Sequence, residues 1–480
     1  MDILHVSAEC YPAAKAGGLG DVAGALPKYQ NDLGKESAVI IPKYRTKWVR
    51  AQTIKPVFTG VYPFQKDFIP FSIETVEDAE LGFPLYLVNI IGQFDRDGVY
   101  GDPVEGWYTD NTERFIHFQL AVLEWIKQMP DLPKVVHCHD YHTGLIPFFM
   151  QHGLTYKKLA TVPTVFTIHN GEYHGDFAWE LVSMLPAFHA NAKGLLEWDG
   201  RINPLATGIK TAWGLTTVSP TYMTELTTDS NGLEKLIQKE LKKSSGVLNG
   251  IDLKVWDPAK DPFIKEKFTG DFKNYKFKNK AILGARFQVD LRLPLITFIG
   301  RLVREKGADL LPDLYRQVLY AGVPAVFVIL GTGEPELHQQ FLALKRDFPG
   351  KFDVALEYNE GLAHQLYSGS DFLIMPSRVE PCGLNQMYAM RYGTLPIVRS
   401  VGGLKDTVID LDESPEEGRG IRFDEFSLEG GHHALWRAAK VFQDTKKMQG
   451  IARRIMDLDF SWTQSAKAYE TIYQNLQINK

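Results

Sequence analysis

Short β-rich runs alternate with amphipathic helical stretches along the chain, and this alternation limits the possible folds more than any other feature. The first half contains the strand-like runs ILHVSAE, SAVIIPK, PLYLVNII, KVVHCHD, TVFTIHN and LTTVSP. The second half repeats the pattern more regularly with PLITFIGR, AVFVILGTG, FDVALEY, DFLIMPS and LPIVRS. Strands separated by helices form parallel sheets with crossover connections. The sequence therefore predicts an α/β fold with two Rossmann-like, doubly wound parallel-sheet domains.

The length of 480 residues exceeds what one ordinary hydrophobic core supports, so at least two domains are expected. The segment LKKSSGVLNGIDLKVWDP interrupts the pattern with polar and glycine residues and places the hinge between about residues 240 and 255. We therefore predict a first domain over residues 1–245, a second over residues 246–455 and a terminal segment over residues 456–480. Ser461 is the expected cap of a helix in that segment.

The composition disfavours several classes of partner. A net charge of -5 gives no attraction for nucleic acid or an anionic membrane, and neither is expected as a partner. Cys10, Cys138 and Cys382 are far apart and form no C-x-x-C pair, which argues against a disulfide framework and a structural zinc site. No signal-peptide pattern follows Met1, and no apolar run reaches the roughly 20 residues of a membrane helix. We expect a cytoplasmic protein.

A loop with one lysine and two adjacent glycines precedes the first predicted helix. GLGDVA at 18–23 fits the dinucleotide pattern G-x-G-x-x-A, but an intervening loop separates it from the strand, which disfavours a nicotinamide-binding domain. A helix beginning near Gly17 or Gly18 presents free N–H groups to an anion, and Lys15 adds a positive charge. A glycine-rich turn with a solvated lysine is the alternative.

The second half contains a similar arrangement in FIGRLVREKGADLL. Arg301 follows a buried strand, and Lys306 precedes a helix that we expect to start around Gly307. Two cations at a strand end and a helix amino terminus are typical of a phosphate site. Solvated residues at a helix start are the alternative. Two such sites in two hinged domains would form a cleft that grips one diphosphate from both sides.

A carboxylate follows the strand DFLIMPS, where the chain turns through Glu380-Pro381-Cys382-Gly383-Leu384. A helix is expected from about Asn385 to Tyr392. A carboxylate beside amides at a helix start can bind sugar hydroxyls and a phosphate together. The alternative is a loop acid that caps its own helix.

The run HCHDYH brings His137, His139, Asp140 and His142 close together, and His169 ends the next strand. On a strand, the first two histidines share one face and the aspartate lies opposite, so a zinc site is disfavoured and no metal is expected. A hydrogen-bonded polar cluster lining the cleft is the preferred interpretation.

Several long motifs occur in an order that resembles bacterial glycogen synthases and plant starch synthases, which are glycosyltransferase family 5. They include K-A-G-G-L-G-D-V, H-x-H-D-Y-H-T-G, T-I-H-N, T-V-S-P-T-Y, N-G-I-D-x-x-x-W-x-P, G-R-L-V-x-E-K-G-A-D-L, E-P-C-G-L-N-Q-M-Y-A-M-R-Y-G-T and a terminal F-S-W. The resemblance runs from residue 1 to about residue 475. The segment from 43 to 90 matches least.

The resemblance implies a GT-B fold with the donor between the domains and a last helix that crosses back onto the first domain. It implies retaining transfer of glucose from ADP-glucose to the non-reducing end of an α-1,4-glucan, with release of ADP and without a cofactor or metal. A GT-B glucosyltransferase that uses UDP-glucose or another acceptor is the alternative. A glucan-binding protein without activity is disfavoured because the charged motif residues are present.

The resemblance also implies residue roles. Arg301 and Lys306 would neutralise the departing diphosphate, and Lys15 would approach the donor from the first domain. Glu380 would hold glucose hydroxyls. Tyr358 would lie against adenine, and Asp21 would fix the lysine loop. The implied catalytic residues are Lys15, His169, Arg301, Lys306, Glu380 and Asp140. The implied substrate-binding residues are Lys15, Gly17, Gly18, Asp21, Asn249, Tyr358, Cys382, Gly383 and Leu384.

Two places depart from the patterns of related enzymes. Gly171, Glu172 and His174 follow T-I-H-N, where small or apolar residues and a glutamine are usual. Tyr388 stands where related retaining enzymes often carry a second glutamate, as is usual in the glycogen synthase branch.

Overall fold

The structure is a computed structural model that describes residues 1–77, 80–102 and 106–478. These residues form two compact units. The first comprises Met1–Val218, Met223–Asn249 and the helix that begins at Trp462. The second comprises Ser219–Tyr222 and Gly250–Ser461. Within the described residues, no helix combines the length and the apolar character needed to cross a membrane.

The first unit is built on a large sheet. Its strands and small hairpins are β1 (Ile3–Val6), β2 (Ser37–Pro42), β3 (Ile54–Phe64), β4 (Asp67–Val76), β5 (Leu85–Asn89), β6 (Gly101–Asp102), β7 (Gly106–Trp107), β8 (Val135–His139), β9 (Thr164–Ile168), β10 (Glu197–Trp198), β11 (Arg201–Ile202), β12 (Gly214–Thr217) and β13 (Ser244–Gly246). The helices before residue 250 are α1 (Gly18–Asp32), α2 (Lys47–Arg50), α3 (Asn111–Gln128), α4 (Ile146–His152), α5 (Lys193–Leu196), α6 (Pro204–Thr211), α7 (Pro220–Glu225) and α8 (Glu234–Glu240).

The strand order of this sheet is β13-β12-β9-β8-β1-β2-β5-β4-β3. The strands from β13 to β5 are parallel, and the β3–β4 hairpin is antiparallel. All six strands predicted in the first half are present, but the hairpin was not predicted. Its first strand contains Pro56, Gly60 and Pro63, which obscure a strand pattern, and an edge strand tolerates proline because one side needs no ladder donors.

Helices α1 and α17 (Trp462–Ile478) pack in the same hydrophobic cluster as the large sheet. The shared core contains Ile3, Val22, Leu26, Tyr29, Val135, Val165, Val247, Trp462, Ala466, Tyr469 and Tyr473. The α17 members recur at helical spacing, so one face of this last helix is buried on the first unit.

The second unit is a smaller, fully parallel sheet. Its strands are β14 (Leu295–Ile299), β15 (Val326–Leu330), β16 (Phe352–Ala355), β17 (Phe372–Met375), β18 (Leu395–Arg399) and β19 (Ile421–Phe423). Its helices are α9 (Phe272–Phe287), α10 (Leu311–Tyr320), α11 (Pro335–Asp347), α12 (Glu360–Gly369), α13 (Asn385–Arg391), α14 (Gly402–Thr407), α15 (Leu428–Gln443) and α16 (Thr445–Met456). The strand order is β16-β15-β14-β17-β18-β19, which is the doubly wound Rossmann order.

The helix after Lys306 begins later than predicted. Arg304–Lys306 form a 3₁₀ turn, and α10 starts at Leu311 rather than around Gly307. Gly307 has a φ of 69°, and a Cβ there would lie 2.1 Å from the carbonyl oxygen of Pro376. This left-handed residue ends the turn, so the chain cannot enter a helix directly.

Each sheet has a point where the order of successive strands reverses. In the second unit β14 lies between β15 and β17, and in the first unit β1 lies between β2 and β8. In open parallel sheets, ligands bind beyond the carboxyl ends of strands at such a point. The loops that follow β1, β8, β14 and β17 are therefore the expected ligand-binding loops of the two units.

Candidate functional site

In the second unit, Lys306 and Glu380 form a close ion pair at this point of reversal. The Nζ of Lys306 donates to Oε1 of Glu380 over 2.7 Å, and Ser377 Oγ donates to Oε2 of the same carboxylate over 2.8 Å. Only 8% of the Glu380 side chain is exposed. Since both carboxylate oxygens have partners, the charge is held in one place. The sequence pattern had named both partners of this pair.

Burial by itself lowers the pKa of Lys306, but the charge and hydrogen bond of Glu380 outweigh this effect, and the net pKa is raised. Glu305 adds a second carboxylate at 3.5 Å from the same nitrogen. Lys306 is therefore a permanent cation near neutral pH. A fixed positive charge is what a departing phosphate requires.

The loop that carries Glu380 is held by hydrogen bonds from two other segments of the chain. The carbonyl oxygen of Glu380 accepts the N–H of Gly403 over 3.1 Å, and that of Pro381 accepts the hydroxyl of Ser219 over 2.6 Å. Gly383 has a φ of 70°, and a Cβ there would lie 2.7 Å from Oε1 of Gln386. Only glycine fits this position without strain.

A cavity of about 110 Å³ adjoins the ion pair. Residues from the ends of β14 and β17 and from the start of α13 line it, together with the ion pair itself: Phe298, Ile299, Gly300, Lys306, Met375, Ser377, Glu380, Leu384 and Asn385. Asn385 ties the start of α13 to the end of β14, because its Nδ2 donates to the carbonyl oxygen of Ile299 over 2.7 Å. The predicted helix from Asn385 is confirmed as α13.

Three other residues of the predicted site in this unit differ in their exposure to solvent. Arg301 follows β14, is mostly exposed and lies 3.3 Å from Glu305. Tyr358 follows β16 at the same edge of the sheet and is 87% exposed. Cys382 is buried in the Glu380 loop. Their roles in binding stay predictions.

In the first unit, the carboxylate of Glu9 organises the lysine loop. Its Oε2 accepts the N–H groups of Ala16 and Gly17 over 2.6 and 2.9 Å, and its Oε1 accepts the hydroxyl of Tyr100 over 2.6 Å. The sequence analysis missed this residue. The available signal was an acid placed just after β1, the strand that borders the point of reversal.

The expectation of a free amide at Gly17 is wrong, because Glu9 already occupies it. The helix does begin at Gly18, as predicted. A Cβ at Gly17 or Gly18 would meet no described atom within 4 Å, so the missing side chains leave open surface. Lys15 donates to Oδ1 of Asp21 over 2.6 Å, which brings together two residues of the predicted site.

Asp140 directly follows β8 in an unusual backbone conformation, with a φ of 55°. Its Oδ1 accepts the N–H of His169 over 2.7 Å, which links the ends of two neighbouring strands. Burial raises the pKa of Asp140 to about 7, although the N–H groups of His169 and Asn170 oppose this rise. The charge of Glu9 raises it further. This carboxyl can therefore carry a proton near neutral pH.

His169 is the outer end of a buried chain of imidazoles. Its Nε2 lies 2.9 Å from Nδ1 of His139, whose Nε2 lies 3.0 Å from Nδ1 of His5. The Nε2 of His5 lies 2.8 Å from Oε1 of Gln30. Burial lowers the pKa of His169 to about 3 and that of His5 to about 4, and it also lowers that of His139. All three rings are therefore neutral.

His137 branches from this cluster toward the last helix. Its Nδ1 lies 2.7 Å from the hydroxyl of Tyr473 on α17, and its Nε2 lies 2.6 Å from Oγ1 of Thr167. His137 and His139 share one face, as predicted, with ring centroids 4.3 Å apart. His5, which the sequence analysis missed, joins them opposite His137 in the register of β1 and β8.

Ring nitrogens of His5, His137 and His139 lie within 4.8 Å of one another, a grouping that geometrically permits a metal ion. However, both nitrogens of each ring already have hydrogen-bond partners in the protein. The cluster is therefore well accounted for as a hydrogen-bonded network.

Asn249 is the last residue of the first unit before the chain enters the second. Its Oδ1 is buried and accepts no hydrogen bond from any described residue. A buried carbonyl oxygen without a partner is costly, so a ligand hydroxyl would satisfy it.

The comparisons with known proteins agree with this geometry. Residues 2–239 match the starch synthase catalytic domain family, and residues 284–425 match the glycosyl transferases group 1 family. A glycogen synthase from Flavobacterium johnsoniae is 45% identical over 475 residues, which cover 98% of both chains. The chain belongs to the glycogen synthase and starch synthase family. A glycogen synthase from Myxococcus xanthus is 37% identical and matches over 99% of both chains.

Solved structures extend the family resemblance to the fold. The catalytic domain of starch synthase IV from Arabidopsis thaliana, bound to ADP and acarbose, matches with a TM-score of 0.85 and 32% identity over 99% of both chains. Sucrose-phosphate synthase from Thermosynechococcus elongatus matches over 100% of both chains with a TM-score of 0.59 and 15% identity, which bears on the fold alone. The predicted GT-B fold with two Rossmann-like domains is confirmed.

Membership of the glycogen and starch synthase family also confirms the predicted activity class. The chain is a glycosyltransferase with glycogen or starch synthase function.

Proposed function

We propose that the chain transfers glucose from ADP-glucose to the non-reducing end of an α-1,4-glucan and releases ADP. The observation that carries this proposal is the Lys306–Glu380 pair beside the cavity at the β14–β17 reversal. A cation suited to phosphate and a carboxylate suited to sugar hydroxyls adjoin one recess, which supports the proposal. The Arabidopsis starch synthase IV structure is bound to ADP, which supports the choice of nucleotide.

Lys306 is the principal group for the diphosphate. As the bond between the anomeric carbon and the phosphate oxygen breaks, negative charge grows on the diphosphate. A cation already in place lowers the energy of that transition state, because no reorganisation is needed during the reaction. We assign Arg301 to the same phosphates and Lys15, with the open surface at Gly17 and Gly18, to a further donor contact.

Glu380 holds the glucose hydroxyls, with the amides of Cys382, Gly383 and Leu384 beside it. Its carboxylate is fixed by Ser377 and Lys306, so a sugar meets a preformed acceptor. We assign Tyr358 to the adenine ring, since its exposed face lies at the ligand-binding edge of the sheet.

Asp140, His169 and Asn249 serve the glucose from the first unit. The carboxyl of Asp140, which can carry a proton near neutral pH, and the neutral ring of His169 offer hydrogen bonds to the sugar. The unpartnered Oδ1 of Asn249 accepts from a sugar hydroxyl. Asp21 keeps Lys15 in place through their ion pair.

The transfer proceeds with retention through attack on the face from which the phosphate leaves. The anomeric carbon loses its bond to the phosphate oxygen, the acceptor hydroxyl oxygen forms the new bond, and its proton passes to the departing phosphate oxygen. Trapping a glucosyl ester on Glu380 or Asp140 would overturn this route. We further propose a cytoplasmic location, because Cys10, Cys138 and Cys382 form no disulfide among the described residues.

The test is incubation of the purified protein with ADP-glucose and glycogen, with ADP release as the readout. Lys306→Ala should reduce turnover by at least ~100-fold and leave glucan binding unchanged, because the loss is of transition-state charge stabilisation. Lys345→Ala is the matched control, since Lys345 pairs with Asp353 at 2.6 Å elsewhere in the same unit. Full activity of the Lys306 variant, or faster turnover with UDP-glucose by the unaltered protein, contradicts the proposal.

A further inference from the structure

Two large aromatic side chains stand side by side on the surface of the first unit. Trp107 is 61% exposed and Tyr173 is 47% exposed, and their ring centroids are 6.1 Å apart at 32°. Tyr100 stacks behind Trp107 at 5.7 Å and 19°, and His142 stacks behind Tyr100 at 4.9 Å. We call Trp107 and Tyr173 the aromatic platform.

Backbone pairing and hydrogen bonds position the Trp107 side of the aromatic platform. Trp107 ends β7, which pairs with β6, and a Cβ at Gly101 of β6 would lie 2.1 Å from the carbonyl oxygen of Gly106. The carbonyl oxygen of Tyr100 accepts the N–H of Tyr108 and the side-chain amide of Asn111 over 3.0 and 2.8 Å. Exposed aromatic surface is typical of a ligand-binding face.

Its position joins it to the residues assigned to the glucose. Tyr173 lies on the loop that starts at His169, and His142 lies on the 3₁₀ turn that follows Asp140. In that loop the N–H of Glu172 donates to Oδ1 of Asn170 over 2.9 Å, so polar side chains border the rings. The same two loops therefore carry one ring of the platform, one of its supporting rings and residues assigned to the glucose.

We propose that the aromatic platform binds glucose units of the α-1,4-glucan acceptor, an inference that rests on the proposed function. The apolar face of a sugar ring covers an aromatic face, while its hydroxyls keep their polar partners at the rim. Trp107 and Tyr173 carry no charge themselves, so the platform offers no electrostatic attraction to a phosphate-bearing ligand. A neutral polyhydroxylated chain fits this combination.

Tyr100 gives the platform a second connection. Its ring supports Trp107, and its hydroxyl donates to Glu9, which holds the amides of Ala16 and Gly17 in the lysine loop. Removal of the hydroxyl alone should therefore affect the donor, whereas removal of the Trp107 ring should affect the acceptor. These two variants separate the two roles of one stack.

The experiment compares Trp107→Ala, Tyr173→Ala and the double variant with the unaltered protein. The apparent KM for glycogen and for maltoheptaose should rise roughly tenfold in the double variant, as expected for loss of two aromatic contacts with the acceptor, while the KM for ADP-glucose stays within about twofold. Trp107→Phe should restore most of the affinity. Trp436→Ala, which removes another partly exposed tryptophan, is the matched control.

Retardation of each variant in native gels containing glycogen measures binding without turnover. An inactive unaltered protein that is nevertheless retarded by glycogen, with retardation lost in the double variant, contradicts the proposed function and supports the platform. An active double variant with unchanged acceptor KM and unchanged retardation overturns the platform and leaves the proposed function standing. Since both rings are exposed, the variants are expected to fold, and Tyr173→Ser provides a second test at the same site.

Discussion

The Nδ1 of His139 lies 2.9 Å from the Nε2 of His169, and this contact fixes which nitrogen of His169 carries the proton. Oε1 of Gln30 accepts from Nε2 of His5, so Nδ1 of His5 must accept from His139. A neutral imidazole donates once and accepts once, so His139 in turn accepts from Nε2 of His169. The outer ring therefore has an unprotonated Nδ1 available for a sugar hydroxyl.

Replacing His139 should impair catalysis through His169. His139→Phe keeps an aromatic ring at this position but leaves the N–H of His169 buried without a partner. This should lower the free energy of unfolding by about 1–3 kcal/mol. We expect kcat to fall by roughly 10-fold or more, with little change in the KM for the acceptor. In a His169→Ala background the same change should have little further effect on kcat, as measured by a double-mutant cycle. Additive losses in kcat would contradict a positioning role.

The charge on Lys306 should depend on Glu380. Burial alone lowers the pKa of this lysine, and the attraction of Glu380 reverses the effect. In Glu380→Gln the burial effect is unopposed by that charge, so the ammonium loses its proton at a lower pH. The alkaline limb of the kcat–pH profile, normalised to its maximum, should shift toward neutral pH.

Ser377→Ala provides the control for this shift, because it removes a neutral hydrogen bond to Glu380 and leaves the charge. Its normalised profile should match that of the unaltered protein. An unshifted alkaline limb in Glu380→Gln would show that the pair does not set the protonation of Lys306.

The buried carboxyl of Asp140 should make the chain less stable at alkaline pH. The folded protein keeps this proton up to about pH 7, whereas an unfolded chain releases it near 3.8. Between these values the unfolded state binds fewer protons, so the contribution of Asp140 to stability falls as the pH rises and is lowest above pH 7.

Asp140→Asn tests this dependence, since an amide oxygen still accepts from His169 and asparagine tolerates a positive φ. At pH 8 the free energy of unfolding of the variant should exceed that of the unaltered protein by up to about 4 kcal/mol, given ~1.4 kcal/mol for each pKa unit. This difference should disappear near pH 4. Thermal melts across this range provide the measurement. A variant that melts lower at pH 8 would refute the assignment.

The sequence predicted the repeating strands well because each is a short, mostly buried apolar run with at least one parallel neighbour. It did not predict the β3–β4 hairpin, where prolines and exposed residues remove the apolar pattern. The late start of α10 was also hidden, since the left-handed conformation of Gly307 follows from its close approach to Pro376. Such tertiary constraints leave no local signal.

The site shows the same division. Lys306, Glu380, Asp140 and His169 lie in recognisable motifs at strand ends, and each was predicted. His5 was missed because its partners, His139 and Gln30, depend on the register of β1 against β8 and on the packing of α1.

Tyr388 illustrates the opposite case. It stands where related retaining enzymes often carry a second glutamate. In this structure its ring stacks on Trp256, with ring centroids 3.7 Å apart and an angle of 20° between the planes. The other face of Trp256 meets His364 at 4.1 Å. Tyr388 therefore takes part in packing the segment that follows Asn249, and no sequence spacing indicates this contact.

The carboxylate of Glu9 also determines whether the lysine loop is ordered before or after the nucleotide binds. Because it already satisfies two amides of the lysine loop and the hydroxyl of Tyr100, the loop acquires its shape when the chain folds. The entropic cost of ordering those residues has then been met before any nucleotide arrives. An arriving substrate finds a preorganised surface, so less of its binding energy is consumed in arranging the protein.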